Sequence, residues 1–371
     1  MKHNTRKMAL AVLALAASLV ATAPLHAQDD KTHRFSIQTA VPNSSLYFKL
    51  METFAERIDT MSGGRLQAKV LPDGAEVKAF DILDAVSDGT VEAGMAWPHY
   101  WSGKNSAFVL FSNPPASSGL DQHSFMAWYE RAGGKELHQE LLDSEKYNIK
   151  VFLIQPMGPD PLGWFNTPIE TMDDFRKLKY RAPPGIAGQT YQNMGIAAVA
   201  LPGGDIVPSA QRGVIDAAEW IGPADDRQLG LHKIWKHYYL QGLHQQTDVG
   251  ELTINKEFWE GLPADLQAII ASAAKAMASD TLNANIYDNS HALAEYQKDS
   301  GIEVHDTPSA YYQEFIAAER KVTEGYANEN PFFKKVLDSQ KEFANLAFPY
   351  WSRILELHSS MVKTAHEEQQ K

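Results

Sequence analysis

Residues 33–98 run HRFSIQTAVPNSSLYFKLMETFAERIDTMSGGRLQAKVLPDGAEVKAFDILDAVSDGTVEAGMAWP, and their periodicity reads strand, helix, strand, helix, strand. Phe35 to Ala40 is short and apolar. Leu50, Met51, Phe54, Ile58 and Met61 then recur at helical spacing until Gly63-Gly64 stops them. Residues 66–70 return to alternation, Val77, Phe80, Leu83 and Val86 make a second helical stripe ended by Gly89, and 91–97 is the next strand. Alternation of this kind predicts an α/β domain whose helices cover a sheet.

A second α/β block follows, with strands expected at 151–155, 162–165, 179–181 and 217–220 and helices at 172–178, 186–194 and 207–212. Gly203-Gly204 reads as a turn before the last of these helices, with Asp205 in its cap. From Pro263 a helical pattern runs to Gly301, enough at 1.5 Å per residue to reach about 55 Å and cross both domains. Residues 309–366 are also helical in pattern, with Phe332, Phe333, Phe348, Tyr350 and Trp351 as the expected core.

At the other end, Lys2, Arg6 and Lys7 precede an apolar run, 8–20, that closes in small residues and Leu25-His26-Ala27. This pattern predicts a secretory signal peptide, 1–27, and hence an exported protein. No later stretch approaches the roughly 18 consecutive apolar residues of a membrane span. The chain of 371 residues leaves room for two domains, and its lack of cysteine suits an oxidising compartment and excludes thiol chemistry. The formal charge is −12, and loss of the three leader cations makes it more negative, which argues against nucleic acid or anionic lipid as partner. An anionic ligand must therefore be drawn in by a local cation.

Arg181 is the natural candidate. Between Asp160 and Trp220 the chain carries Asp160-Pro-Leu-Gly-Trp-Phe, Lys179-Tyr-Arg181-Ala-Pro, Gly203-Gly-Asp205-Ile and Asp216-Ala-Ala-Glu219-Trp220. An arginine fork grips a carboxylate through two parallel hydrogen bonds, and nearby acids would repel that ligand unless a cation sat between them. The segment thus implies an anion together with a metal. Nucleotide-binding, zinc-protease, serine-hydrolase and EF-hand signatures are absent, and Ser272 to Lys275 lacks the companion motifs of a serine–lysine enzyme. The spacing of His232, His237 and His244 does not suit a helical metal site, so they read as surface or core histidines. In Trp97-Pro-His-Tyr100-Trp101, which follows a strand as binding loops of open sheets do, Tyr100 and Trp101 are expected to face the cleft.

Met61-Ser-Gly-Gly-Arg65-Leu, Phe80 through Gly89 and Gly94, Leu178-Lys-Tyr-Arg181, Gly203-Gly-Asp205-Ile, Ile215-Asp-Ala-Ala-Glu219-Trp220-Ile-Gly-Pro223, Asp225-Asp226 and Leu229-Gly230 together resemble the periplasmic substrate-binding subunits of TRAP transporters. The Gly-Gly-Asp and Asp-Ala-Ala-Glu-Trp-x-Gly-Pro segments are similar to the branch that binds 2-oxo and 2-hydroxy monocarboxylates with a metal ion. The resemblance implies that Arg181 pairs with the ligand carboxylate and that Glu219 and Trp220 hold the cation, the tryptophan through its main-chain carbonyl. Two positions depart from that pattern: Asp160 stands where the receptor for alpha-keto acids has glutamine, and Gln245 where it has a second glutamate. One amide and one carboxylate are exchanged, so the ligand atoms remain oxygen and a hard cation would accept the swap.

Should Asp160, Glu219 and a substrate carboxylate converge on Arg181, like charges about 4 Å apart would cost about 4 kcal/mol per pair at an effective dielectric near 20. A cation is then close to obligatory, with calcium mildly favoured over sodium. The resulting expectation is a two-domain α/β periplasmic binding protein with a hinge near Gln155 and Asp248 to Thr253 and a long helix spanning both domains. Domain one would hold 28–153 and 248–285, and domain two 154–247 and 286–371. It would bind a small 2-oxo or 2-hydroxy acid without turnover and pass it to a TRAP permease. The long helix and C-terminal region offer surface for a homodimer. The alternative is an exported metal-dependent enzyme with His99 as its base.

Overall fold

The computed structural model describes residues 31–369, in which eleven strands form two sheets joined by crossing segments. The expected signal peptide lies outside the described residues. In chain order the strands are β1 (His33–Thr39), β2 (Leu66–Leu71), β3 (Ala93–Ala96), β4 (Ile149–Pro156), β5 (Gly163–Phe165), β6 (Lys179–Arg181), β7 (Ala197–Val199), β8 (Ala217–Ala218), β9 (His237–Tyr239), β10 (Val249–Asn255) and β11 (Glu303–His305). One sheet has the order β2-β1-β3-β10-β4 and the other β11-β9-β5-β8-β6-β7. In the first, β1 runs parallel to β2 and β3, while β10 is antiparallel to β3 and β4. The chain leaves the first sheet after β4, returns with β10, and crosses again between β10 and β11.

The opening strand-helix alternation is present, but its second helix is shorter than the stripe suggests. The turn after Pro72 extends to Lys78, held by the Asp73 carboxylate accepting from Ala79 N at 2.9 Å, so a 3-10 turn at Ala79–Asp81 and the helix Ile82–Ser87 begin only after Val77. Gly203-Gly204 is also not a turn. These glycines start the helix Gly203–Gln211 behind Pro202, which places Asp205 in its first turn, where a carboxylate favours the positive end of the helix dipole.

The long helix spans Ala264–Tyr296, 33 residues or about 50 Å. It packs on β4 and the helix Leu46–Ser62 of the first lobe and on the helix Pro223–Leu229 of the second. Asn285 marks the crossing: it accepts from the Tyr47 hydroxyl at 2.5 Å and donates to the Met157 carbonyl. Farther along, Asn289 accepts from Ala224 N at 3.0 Å, and the Tyr296 hydroxyl donates to the Pro223 carbonyl at 2.7 Å. One rigid rod is thus tied to both lobes.

The C-terminal aromatics divide. Phe333 is buried with Val336, Leu337 and Ala344 along the helix Pro331–Ala347. Phe348 and Tyr350, expected in the core, are 65% and 69% exposed, because the chain leaves the body after Ala347. The final helix, Arg353–Gln369, has no buried residue.

Candidate anion and cation site

Arg181 ends β6, and Glu219 and Trp220 follow directly on the neighbouring β8, so two short parallel strands place the cation and its partners side by side. Asp160 comes from the segment after β4, Gln245 and Asp248 from the segment after β9, and Trp97 to Tyr100 from the end of β3. These residues line one chamber between the lobes, and all of them are buried.

The Arg181 guanidinium is held on one edge by the Leu201 carbonyl, which accepts from Nε at 2.9 Å and from Nη2 at 2.8 Å. Nη1 pairs with the Glu219 carboxylate and also donates to the Glu219 carbonyl at 3.3 Å. The Trp220 ring lies 5.3 Å from the guanidinium carbon. Anchored this way, the guanidinium has one Nη2 N–H left over, and its Nη1–Nη2 edge can meet a planar carboxylate once Glu219 releases Nη1. Trp220 is fixed in turn: its indole N–H donates to Asp225 at 2.5 Å, and its ring presses on Gly203, where any side chain would collide with it. The glycine is required by this close approach.

Three carboxylates share the chamber with one guanidinium. Burial, with Asp248, Glu219 and Asp226 nearby, pushes the Asp160 carboxyl well above its ordinary range, and its Oδ1 has no hydrogen-bond partner among the described residues. Its backbone is firmly placed, N donating to the Gln245 carbonyl at 2.9 Å and O accepting from Gly242 N at 3.2 Å. Asp248 is pushed up to about 7 by burial, against a 3.2 Å hydrogen bond from Ser112 and with Glu219 adding to the rise. An unpartnered buried carboxylate oxygen costs free energy unless something cationic or protonated completes it. Asp160, Glu219 and Asp248 bring carboxylate oxygens and Gln245 an amide that can offer its oxygen, a set suited to calcium or sodium.

His99 is poorly placed to be the base that an enzyme here would need. Burial, then Arg181 and His244, lowers its pKa to about 3, and its Nδ1 is engaged with Ser112 at 3.1 Å. Of the residues singled out from sequence, Arg181, Asp160, Glu219, Trp220, Gln245 and Tyr100 come together at the chamber. Trp101 does not: its indole turns into the first lobe and donates to Glu251 at 2.8 Å. The ring that joins Tyr100 is Trp97. A 3-10 turn covers Pro98–Trp101, and its three-residue period sets 97 and 100 on one side and 101 on another. Sequence reasoning also missed Asp248 as a site residue and His244, whose Nε2 lies 3.8 Å from Glu219 while Nδ1 meets the Tyr191 hydroxyl at 2.9 Å.

Two α/β lobes, a shared long helix and a polar chamber of buried charged side chains between them define a solute-binding receptor. Residues 37–330 match the family of bacterial extracellular solute-binding proteins, family 7 (DctP), and the chain belongs to that family, the receptors of TRAP transporters. A monocarboxylate 2-oxoacid-binding periplasmic protein of Nostoc sp. is 32% identical over 330 residues, 87% of each chain. A TRAP transporter solute-binding protein of Bordetella bronchiseptica, a dimer with co-purified calcium and picolinate in its active site, is 28% identical with a TM-score of 0.86, covering 92% of this chain and all of that one. Another from Pseudoalteromonas atlantica, with sodium and pyruvate bound, is 26% identical with a TM-score of 0.80, covering 88% of this chain and 99% of that one. Members of the family are receptors that deliver small carboxylates to membrane permeases, not enzymes, which sets the exported-enzyme alternative aside.

Proposed function

We propose that the protein is a periplasmic receptor for a small 2-oxo or 2-hydroxy monocarboxylate, bound together with a calcium or sodium ion and handed to a TRAP permease. The observation that carries this reading is the buried Asp160 carboxylate, with one oxygen unpartnered, in a chamber whose other charges are Arg181, Glu219 and Asp248. A ligand carboxylate would take the outer edge of Arg181. Its 2-oxygen and one carboxylate oxygen would close a five-membered ring on the cation. Picolinate, bound with calcium in the Bordetella protein, likewise carries a second donor, its ring nitrogen, on the atom next to its carboxylate carbon.

In this reading Asp160, Glu219, the Trp220 carbonyl and Gln245 hold the ion, and Glu219 turns from Arg181 toward it. Asp160, Glu219 and the ligand carry three negative charges against Arg181, a sum that calcium brings to zero and that sodium leaves one charge negative; an ionised Asp248 would add a fourth and favour calcium further. Tyr100 and Trp97 would cover the carbon chain, while Trp101 supports the loop from behind.

The lobes would close about a hinge at Gln155 and Asp248 to Thr253, dividing the chain into 28–153 with 248–285 and 154–247 with 286–371. The signal peptide would end at Ala27. A homodimer is part of the proposal: Leu346, Phe348, Tyr350, Leu357, Met361 and Val362 are exposed along the C-terminal helices, where a second copy would cover them, and the Bordetella relative is a dimer. The test is calorimetric titration of pyruvate before and after exhaustive chelation. Saturable binding with calcium that falls sharply without metal is expected. Affinity indifferent to chelation would refute the cation, and turnover of pyruvate would refute the receptor.

A further inference from the structure

Outside the chamber, His237, Glu303 and His305 converge at the edge of the second sheet. His237 is opposite Glu303 in the parallel pairing of β9 with β11, and His305 follows Glu303 by two residues, so the strand repeat sets all three side chains on one face. His237 Nδ1 lies 3.2 Å from His305 Nε2 and 3.3 Å from Glu303 Oε2, and His305 Nε2 lies 3.7 Å from the same oxygen. With metal–ligand bonds of about 2.0–2.1 Å, the edge of a tetrahedral zinc site is about 3.3–3.4 Å. The three atoms therefore already mark out one triangular face of such a site. Helical spacing does not associate His237 with His305, since His237 lies on a strand and its partners come from 66 and 68 residues later.

From this geometry we infer a second metal site, distinct from the chamber, in which His237 Nδ1, His305 Nε2 and Glu303 Oε2 bind one zinc ion with water in the fourth position. Two imidazoles and a carboxylate favour a borderline ion such as zinc over calcium or sodium, which prefer oxygen cages. The ring of His305 is fixed by stacking on Tyr239, centroids 4.7 Å apart and planes at 18°, so one ligand is held by packing. The side chains of His305 and Glu303 are 28% and 62% exposed, which gives an ion a route in. Because β11 is an edge strand, bound zinc would fasten it to β9 and secure the return of the chain from the long helix. The plain alternative is a histidine–histidine hydrogen bond with a carboxylate beside it and no affinity for metal.

Zinc titration of the full-length receptor, with excess calcium and pyruvate filling the chamber, separates the two. One saturable equivalent of zinc is expected, with a zinc-dependent rise in Tm and, on cobalt substitution, the intense visible absorption of a tetrahedral ion. His305→Ala should abolish all three while leaving pyruvate affinity unchanged. Glu303→Gln, at an exposed position where misfolding is not at issue, should weaken zinc binding roughly tenfold or more. Absence of a saturable equivalent, or zinc binding equal in His305→Ala, Glu303→Gln and the parent, would overturn the site.

Discussion

Ser45 Oγ and Asp225 Oδ1 meet at 2.8 Å, joining the start of a first-lobe helix to the segment that follows β8 in the second lobe. The same oxygen accepts from Leu46 N at 2.8 Å, and the other carboxylate oxygen accepts from the Trp220 indole. One side chain thus caps a helix of one lobe and orients a chamber residue of the other. Asp225→Ala should orphan these donors only in the closed form, since opening admits water to Ser45 and Leu46. A buried unpaired donor costs about 1–3 kcal/mol. We expect ligand release to quicken by about tenfold or more in stopped-flow measurements, with helical circular dichroism intact; an unchanged release rate would remove Asp225 from the closure.

Arg181→Lys tests the fork without leaving Glu219 facing an uncharged hole, which would be costly in itself. A lysine keeps the charge but offers no parallel pair of donors, and each hydrogen bond to a charged group contributes about 1.5–3 kcal/mol. Pyruvate affinity should fall by about tenfold to a hundredfold in calorimetry. Parent-like affinity would mean that the carboxylate is held elsewhere.

Asp248 gives a pH dependence with a definite sign. Its carboxyl is pushed up to about 7, above the value near 3.9 of an unfolded aspartate, so between those values the metal-free fold holds a proton that the unfolded chain does not. The stability that this group contributes is therefore complete below about pH 4 and lost as pH rises through 7. A cation entering beside it competes with that proton, so calcium affinity should rise with pH up to about 7, by at most about tenfold per unit, and then level off. Asp248→Asn should flatten this profile. A profile of the same slope in the variant would assign the proton to another group, with Asp160 the next to replace.

How far the site could be read from sequence depended on where its parts lie in the chain. Arg181, Glu219 and Trp220 sit in short motifs whose local order carries their arrangement, because β6 and β8 are paired strands. Asp248 directly precedes β10, where an acid before a run of strand residues looks like any strand end, and only the return crossing from the second sheet brings it to Asp160. Trp97 and Trp101 are indistinguishable by composition and are separated by the pitch of a 3-10 turn that no hydrophobic pattern announces. Phe348 and Tyr350 look like core because apolar spacing reveals a face but not what covers it.

Gly203 supports the site through contact alone. A Cβ on it would lie inside the van der Waals envelope of the Trp220 ring, and that ring is already fixed by Asp225 on one side and by the Arg181 face on the other. Gly203→Ala must therefore shift either the first turn of Gly203–Gln211 or the tryptophan, an overpacking cost of about 1–3 kcal/mol. Alanine is a better helix former than glycine, so helix propensity alone would predict a small gain in Tm. The collision predicts the reverse, a lower Tm together with weaker calcium-dependent pyruvate binding as the Trp220 carbonyl moves. Thermal denaturation and calorimetry of Gly203→Ala beside Gly204→Ala, whose Cβ would meet only Asp73 at 3.5 Å, would separate the two effects. Equal behaviour of the two variants would show that the tryptophan yields without cost.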